Sequence, residues 1–373
     1  MTNRENNDVR QFDRRQVLGL MGAAGLGMAS ALSEQVAGAQ APAPPPNPNV
    51  PVPPWEPSAS APAIPSWPTE FKQLAPNVYA YIQAGGPGLP SGGISNALAV
   101  VGPDHWLAID ALGQPLHTKA FIAAANKASG KPCGRLVNTH HHGDHVAGNQ
   151  FFLPVEIVSH EYCRDEVVKM AAAVPPGSKF VKREGAADGT EDRKIAIPVT
   201  TFNDRMTYRV GNIVVEFIFI DVAHTWGDIV AYLPQEKILV AGDIFFNYVT
   251  PYGHNANISK WIEVCEKIDK MDVNVILPGH GPLATKKELV QMADYYRALK
   301  PEVRKRYMAG MTPGQAAADI KLPRYQNWRG PEQLVNNVVR LYAEFNGTLI
   351  SDVLVEANTR AAQEYNAIKA KRV

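Results

Sequence analysis

The sequence predicts an α/β protein, a mixed sheet flanked by helices and followed by an all-helical tail. Two textures and the boundary between them carry this. From about Glu70 to Pro282, short β-branched and aromatic runs alternate with helical patterns and are broken by Gly-Gly, Pro-Gly and Gly-Pro turn signals. After Pro282 the strand signal stops and only helical periodicity remains.

Taken in order, residues 1–41 read as a signal peptide and are excluded from fold reasoning. They hold the pair Arg14-Arg15, an uncharged stretch over 17–32, and the small residues Ala37-Gly38-Ala39 where a peptidase could cut. Gly19, Gly22, Gly25 and Gly27 dilute the stretch, so no stable membrane anchor is expected. The run Asp13-Arg14-Arg15-Gln16-Val17-Leu18 resembles the twin-arginine export signal of bacteria, with Val17 and Gly19 where phenylalanine and lysine are usual. That resemblance implies a periplasmic or secreted chain exported already folded. No cysteine precedes Cys133, so no lipoprotein anchor is expected.

Residues 42–69 carry twelve prolines, which favours extended polyproline backbone and reads as a linker or a surface arm. The main domain is placed at 70–285. Strands are expected at 78–82, 97–101, 106–109, 136–138, 155–158, 213–220, 229–233, 238–240 and 275–277, and helices at 115–128, 146–151 and 161–172. The stretch between Cys163 and His224, with Pro175-Pro176-Gly177 and Lys182-Arg183-Glu184, reads as an irregular insertion forming part of a lid. The tail, 286–373, has helical periodicity at 286–308, 313–319, 331–344 and 352–370 and should pack on the main domain.

Charge excludes some partners. With 37 basic and 36 acidic side chains, a net charge of +1 and no run of like charges, the chain has no footprint for nucleic acid or anionic lipid. Three cysteines (Cys133, Cys163, Cys265) without short paired spacing argue against a disulfide framework and a cysteine zinc site, and read as small buried apolar groups. Oligomeric state cannot be read from the sequence.

The chemistry is concentrated in Thr139-His140-His141-His142-Gly143-Asp144-His145, where four potential metal ligands follow the end of a strand. Alternate residues at a strand end point the same way, so His140 and His142 can converge on one ion, while the following turn swings Asp144 and His145 toward a neighbouring position. Further ligands are expected just past three other strands: His224, Asp243 and His280. Rigid strands hold ligands in place and loops leave room for substrate.

These residues resemble the motif set of the metallo-β-lactamase superfamily. The matching runs are His-x-His-x-Asp-His over 140–145, then Ala223-His224-Thr225, Ala241-Gly242-Asp243 and Pro278-Gly279-His280-Gly281, with Ile109-Asp110 resembling the first motif. The resemblance implies an αββα sandwich with metals in a cleft at the edge shared by two sheets. It implies that His140, His142 and His224 bind a first metal, that Asp144, His145 and His280 bind a second, that Asp243 bridges both, and that Asp110 supports from behind. Two Zn2+ are the expected cofactors, with Fe or Mn as alternatives. A hydroxide bridging metals about 3.5 Å apart is the implied nucleophile, with Asp144 and Asp243 as the catalytic carboxylates.

The implied function is hydrolysis of a small carbonyl compound: an ester, lactone, thioester or β-lactam. His142, where the flavin-dependent di-iron branch resembles this chain but carries Glu, turns the reading away from electron transfer, and Asp243, where one β-lactamase subclass carries Cys, disfavours penicillin cleavage. The alternative is a mononuclear iron persulfide-type dioxygenase, similar in its histidine motifs. A non-catalytic relative would be expected to have lost ligands, and this chain retains all seven.

Around the ligands, Asp228 is expected to form a turn or to hydrogen-bond a ligand from behind. Trp226, Tyr248, Tyr252 and His254 are expected to border the substrate cleft, where a hydroxyl could help hold an oxyanion. His105, His117, His141 and His160 lack a partner pattern and read as structural, His141 facing away from the metals.

Overall fold

The computed structural model describes residues 59–89, 95–180 and 191–371; the expected signal peptide, the first part of the proline-rich stretch and the run Lys182-Arg183-Glu184 lie outside them. The described strands form two sheets. The first holds β1 (Glu70–Ala75), β2 (Val78–Ile82), β3 (Ala97–Val101), β4 (Trp106–Ile109), β5 (Cys133–Val137), β6 (Glu156–His160) and β7 (Thr200–Phe202) in chain order. Its first four strands are antiparallel and its last four parallel. The second holds β8 (Arg205–Val210), β9 (Ile213–Phe219), β10 (Ile229–Leu233) and β11 (Ile238–Phe246) as an antiparallel meander, with β12 (Val275–His280) parallel to β11.

The sheets face each other across a core in which Val78, Leu98, Leu107 and Ile109 of the first meet Val215, Phe217, Leu233 and Leu277 of the second. On the outer face of the first sheet, helix α1 (Pro115–Ser129) packs Phe121 and Ala125 against Trp106 and Leu136. Helices α4 (Ile258–Asp269) and α5 (Lys286–Met308) pack Trp261, Val264, Leu289 and Met292 against Leu239 and Ala241 of the second. Central strands such as β4 and β11 are covered on both faces, which is why they read as continuous apolar runs. The result is an α/β, αββα sandwich.

The tail adds α6 (Pro313–Asp319), α7 (Leu334–Asn346) and α8 (Val355–Ala370), whose Ala316, Val338, Leu341 and Ala361 join the core beneath α4 and α5. Thr285 with Glu288 and Thr312 with Gln315 close capping boxes that start α5 and α6. At the front of the domain, Trp67 is buried and its indole N–H donates to the Gln83 carbonyl at 2.8 Å. Among the described residues no helix is long and apolar enough to cross a membrane.

Several elements differ from expectation. The helix expected at 146–151 is a single α turn, α2 (Gly143–Val146), followed by a 3-10 turn over Ala147–Phe151. The Gly148 N–H leaves the helix ladder to bond the Leu112 carbonyl at 2.9 Å, which tightens the chain there. Strands β11 and β12 run on to Phe246 and His280 because their parallel pairing continues past an irregular register at Gly242. The segment expected to be helical from residue 331 starts as a 3-10 turn before α7, and the last helix starts at Val355.

Helix α4 was not among the expected elements, yet it places Ile258, Trp261, Val264, Cys265 and Ile268 on one buried stripe, and the Asn257 side chain caps it by accepting from the Lys260 N–H at 3.0 Å. Trp261 is fully buried, donates its indole N–H to the Ile244 carbonyl at 2.8 Å, and stands edge-on to His224 at 5.3 Å. Trp261→Ala should therefore cost about 3–5 kcal/mol of stability through the cavity alone. Denaturant unfolding of the metal-free protein measures this, and a loss under 1 kcal/mol would contradict the packing described.

Candidate metal centre

The site is assembled where chains leave the sheets at one edge of the sandwich. Beyond β5, the Asn138 side chain exchanges hydrogen bonds with that of Asn149 at 3.0 and 2.9 Å, fixing the exit of the strand. Thr139 then donates its backbone N–H and its hydroxyl to the two carboxylate oxygens of Asp110, both at 2.8 Å. Asp110 has φ +64, a left-handed conformation that aspartate tolerates, and is buried. The third bond it accepts, from His145 Nδ1 at 2.8 Å, leaves that ring offering Nε2 to the site. Asp110 thus supports a ligand from behind.

His142 is the N-cap residue of α2, and the turn expected to swing Asp144 and His145 away from His140 and His142 is this single helical turn, with both residues in the second ligand set. Asp243 and His280 stand within β11 and at the last residue of β12, not past them. Two glycines of the motifs make this possible. Gly242 has φ +50 beside the Thr139 side chain, and a Cβ on Gly279 would stand 1.9 Å from Asp243 Oδ1.

The seven predicted ligands come together as two sets. In the first, His224 Nε2 lies 2.7 Å from His142 Nδ1 and 3.3 Å from Asp243 Oδ2, and His140 Nε2 lies 3.6 Å from the same oxygen. In the second, Asp243 Oδ1 is 3.0 Å from His145 Nε2, Asp243 Oδ2 is 3.1 Å from His280 Nε2, and Asp144 Oδ2 is 3.3 Å from His280 Nε2. Within each set one ligand atom per residue lies within 4.8 Å of every other, and Asp243 belongs to both.

The donors fit divalent ions. His140 Nε2, His145 Nε2 and Asp243 Oδ1 are buried without a hydrogen-bond partner, a costly arrangement that a cation would relieve. Burial pushes His140 and His224 well below the usual histidine range and His142 below it, with neighbouring histidines adding to the effect, so all three present lone pairs. For His145 and His280 burial acts the same way but the carboxylates win. Asp243, with Asp110 and Asp144, raises His145 well above its ordinary value, and Asp243 with Asp144 raises His280 to about 9. Despite burial, the same histidines hold Asp243 well below the carboxylate range and Asp144 below it.

The surrounding residues divide. Tyr252 and His254 do gather at the first set: the His254 ring stacks on His142 at 4.9 Å and lies tilted against Tyr252 at 4.0 Å. Burial and the nearby Asp144 push the Tyr252 hydroxyl up to about 12, so it stays a proton donor. Trp226 and Tyr248 have defined partners of their own. The Trp226 indole N–H donates to the Asn255 carbonyl at 3.2 Å, and Tyr248, with φ +57, packs against both the inter-sheet core and the helical core. Asp228 accepts from the Thr225 backbone N–H at 2.8 Å and from its hydroxyl, so it shapes the loop that carries His224 without touching the ring; burial raises its carboxyl to about 7.

Of the remaining histidines, His160 caps helix α3 (Glu161–Ala172) by accepting from the Tyr162 N–H at 3.1 Å, and His105 pairs with the Tyr208 hydroxyl at 2.9 Å. His141 is in neither ligand set, but its ring lies 4.7 Å from that of His142. Two residues the sequence did not single out hold the site from a distance. Asn96 donates to the Pro278 and Gly281 carbonyls at 2.9 and 2.8 Å, clamping both sides of His280, and Asn255 accepts from His142 Nε2 at 3.0 Å. Neither has a spacing signal, since Asn96 lies 182 residues from Pro278 and His142 lies 113 from Asn255.

Comparison with known proteins agrees with this geometry. The family model described as the metallo-beta-lactamase superfamily matches residues 90–280, just over half of the chain, and that span contains all seven ligands. The chain is 22% identical over 262 residues to a linear primary-alkylsulfatase of Pseudomonas sp., covering 59% of this chain and 49% of that protein. It is 23% identical over 232 residues to a metallo-beta-lactamase type 2 of Bacillus cereus, covering 60% of this chain and 81% of that one.

Among solved structures, a metallo-beta-lactamase from Pontibacter korlensis superposes with a TM-score of 0.50 at 19% identity, over 61% of this chain and 98% of the other. A stereoselective inverting sec-alkylsulfatase from Pseudomonas sp. superposes with a TM-score of 0.56 at 17% identity, over 75% of this chain and 50% of that one. The chain thus spans about half the length of the alkylsulfatases it matches. With the matched span, the two-sheet architecture and the seven gathered side chains in agreement, the chain belongs to the metallo-β-lactamase superfamily.

Proposed function

We propose that the chain is a hydrolase that holds two divalent ions, zinc before iron or manganese, and cleaves a small ester, lactone, thioester or β-lactam. The observation that carries this reading is the sharing of Asp243 between two four-residue ligand sets. A mononuclear centre would need only one. His140, His142, His224 and Asp243 would hold one ion, and Asp144, His145, His280 and Asp243 the other. Bound there, the ions would supply an acidified water and an electrophile for the substrate oxygen. Around them, the protonated Tyr252 hydroxyl can donate to a developing oxyanion, and Asp110 and Asn255 fix the rings.

A second reading, hydrolysis of a sulfate ester, is favoured by the alkylsulfatase likeness, which extends over 75% of this chain against 61% for the lactamase. An exported, periplasmic or secreted location fits a chain with this N-terminus and is part of the proposal.

The test is elemental analysis of the purified protein together with a screen of lactones, thioesters, β-lactams and alkyl sulfates. About two ions per chain with turnover supports the hydrolase. A single iron with oxygen uptake on a persulfide, and no hydrolysis, replaces it. The Asp144 side chain is one-fifth exposed, so Asp144→Ala should abolish hydrolysis, lose one ion and leave the far-ultraviolet circular dichroism unchanged. Full activity with the second position empty would contradict the two-ion reading.

A further inference from the structure

The tail reaches the ligands through one side chain. Asn255 lies in the loop between β11 and α4 and is buried, and both side-chain polar atoms and its carbonyl have defined partners. Its Nδ2 donates to the Ser351 carbonyl at 3.0 Å, in the segment joining α7 to α8. Its own carbonyl accepts from Arg340 Nη2 at 2.9 Å and from Trp226 Nε1 at 3.2 Å. Arg340, on α7, is fully buried and spends its guanidinium on carbonyls: those of Asn255, Ala256, Ile350 and Asp352. One cation therefore ties the loop of Asn255 to the strap over 350–352.

That tie decides the orientation of the amide. With Nδ2 committed to the Ser351 carbonyl, only Oδ1 is left to face His142, and an amide oxygen can only accept. His142 Nε2 must then carry the proton, which leaves Nδ1 as a lone pair, and Nδ1 is the atom that stands 2.7 Å from His224 Nε2. A neutral imidazole has one donor and one acceptor, so the partner on one nitrogen sets what the other can do.

We infer that Asn255 is a positioning residue for the first metal site, held in place by Arg340 and Ser351 of the C-terminal extension so that His142 offers Nδ1 to the ion. The extension is then part of the metal centre and not an appendage. This rests on the metal-binding reading above. His145 has its own support in Asp110, so the effect of Asn255 is confined to one of the two sites.

The test measures each site separately, by chelator competition with zinc and by the visible spectrum of the cobalt-substituted protein. Asn255→Ala should weaken the first site about 10–100-fold, leave the second within about threefold, and alter the cobalt bands of the first site only. Asn255→Asp keeps an acceptor for His142 and should hold the first site within about threefold of the parent. Where Asn255→Ala does not fold, Asn255→Asp decides by itself, and a tenfold or greater loss overturns the inference. Equal weakening of both sites, or an unchanged first site in Asn255→Ala, also overturns it. If the parent protein takes up neither ion, the metal reading has failed and not this refinement of it.

Discussion

Asp243→Ala is expected to empty both ion positions and to lower kcat/KM by on the order of 10³-fold or more, equivalent to about 4 kcal/mol of transition-state stabilisation. Asp243 is the one carboxylate common to both ligand sets, with four histidine nitrogens between 3.0 and 3.6 Å from its oxygens. Removing it takes a ligand from each site and leaves Asp144, beside His280 and His145, as the one carboxylate of the two ligand sets. Asp144→Ala removes a ligand from one set only, so the two variants should separate by metal content, near zero against near one per chain. Elemental analysis beside steady-state kinetics on whichever substrate is turned over provides the check. Two retained ions with activity within tenfold of the parent would show that Asp243 does not bridge.

The second large effect is a difference in how the two sites respond to pH. In the metal-free protein His145 lies well above its ordinary value and His280 is at about 9, so both carry protons near neutrality, while His140, His142 and His224 are lowered and do not. An ion entering the second site must displace two protons, and one entering the first displaces none.

The sign follows from linkage. Protons compete with the second ion wherever pH lies below the raised values, so its affinity falls as pH falls, by up to about a hundredfold per unit below about 9, where His280 and His145 are both protonated. First-site affinity should stay nearly flat through neutrality. Calorimetric titration in two buffers of different ionisation enthalpy counts the protons. Equal counts at the two sites would refute the assignment.

Much of this site was legible before any coordinates. All seven candidate ligands and Asp110 came from motifs whose chemistry is local, and the placement of Tyr252 and His254 came from their position just after Asp243 in the chain. A strand end followed by a turn fixes where four side chains of one seven-residue run can point. The elements that escaped reading also have a common cause. Strands β1, β7 and β8 are the edges of their sheets, with half-exposed, polar-interrupted sequences, so no apolar run announces them. Helix α4 is different: its apolar stripe and its Asn257 cap were readable and were passed over.

By itself, then, the sequence determined the resemblance to the superfamily, which implied the layered sandwich, and the positions of the seven candidate ligands, because these depend on residue types at short spacing. Only the tertiary structure decided how the rings are held and what the tail does. Asn96 reaches across 182 residues to clamp His280, Arg340 reaches across 85 to hold Asn255, and Trp226 donates to the same carbonyl. Such contacts join buried polar groups that must find partners somewhere, and which partner each finds is set by how the layers stack, not by any neighbour in the chain.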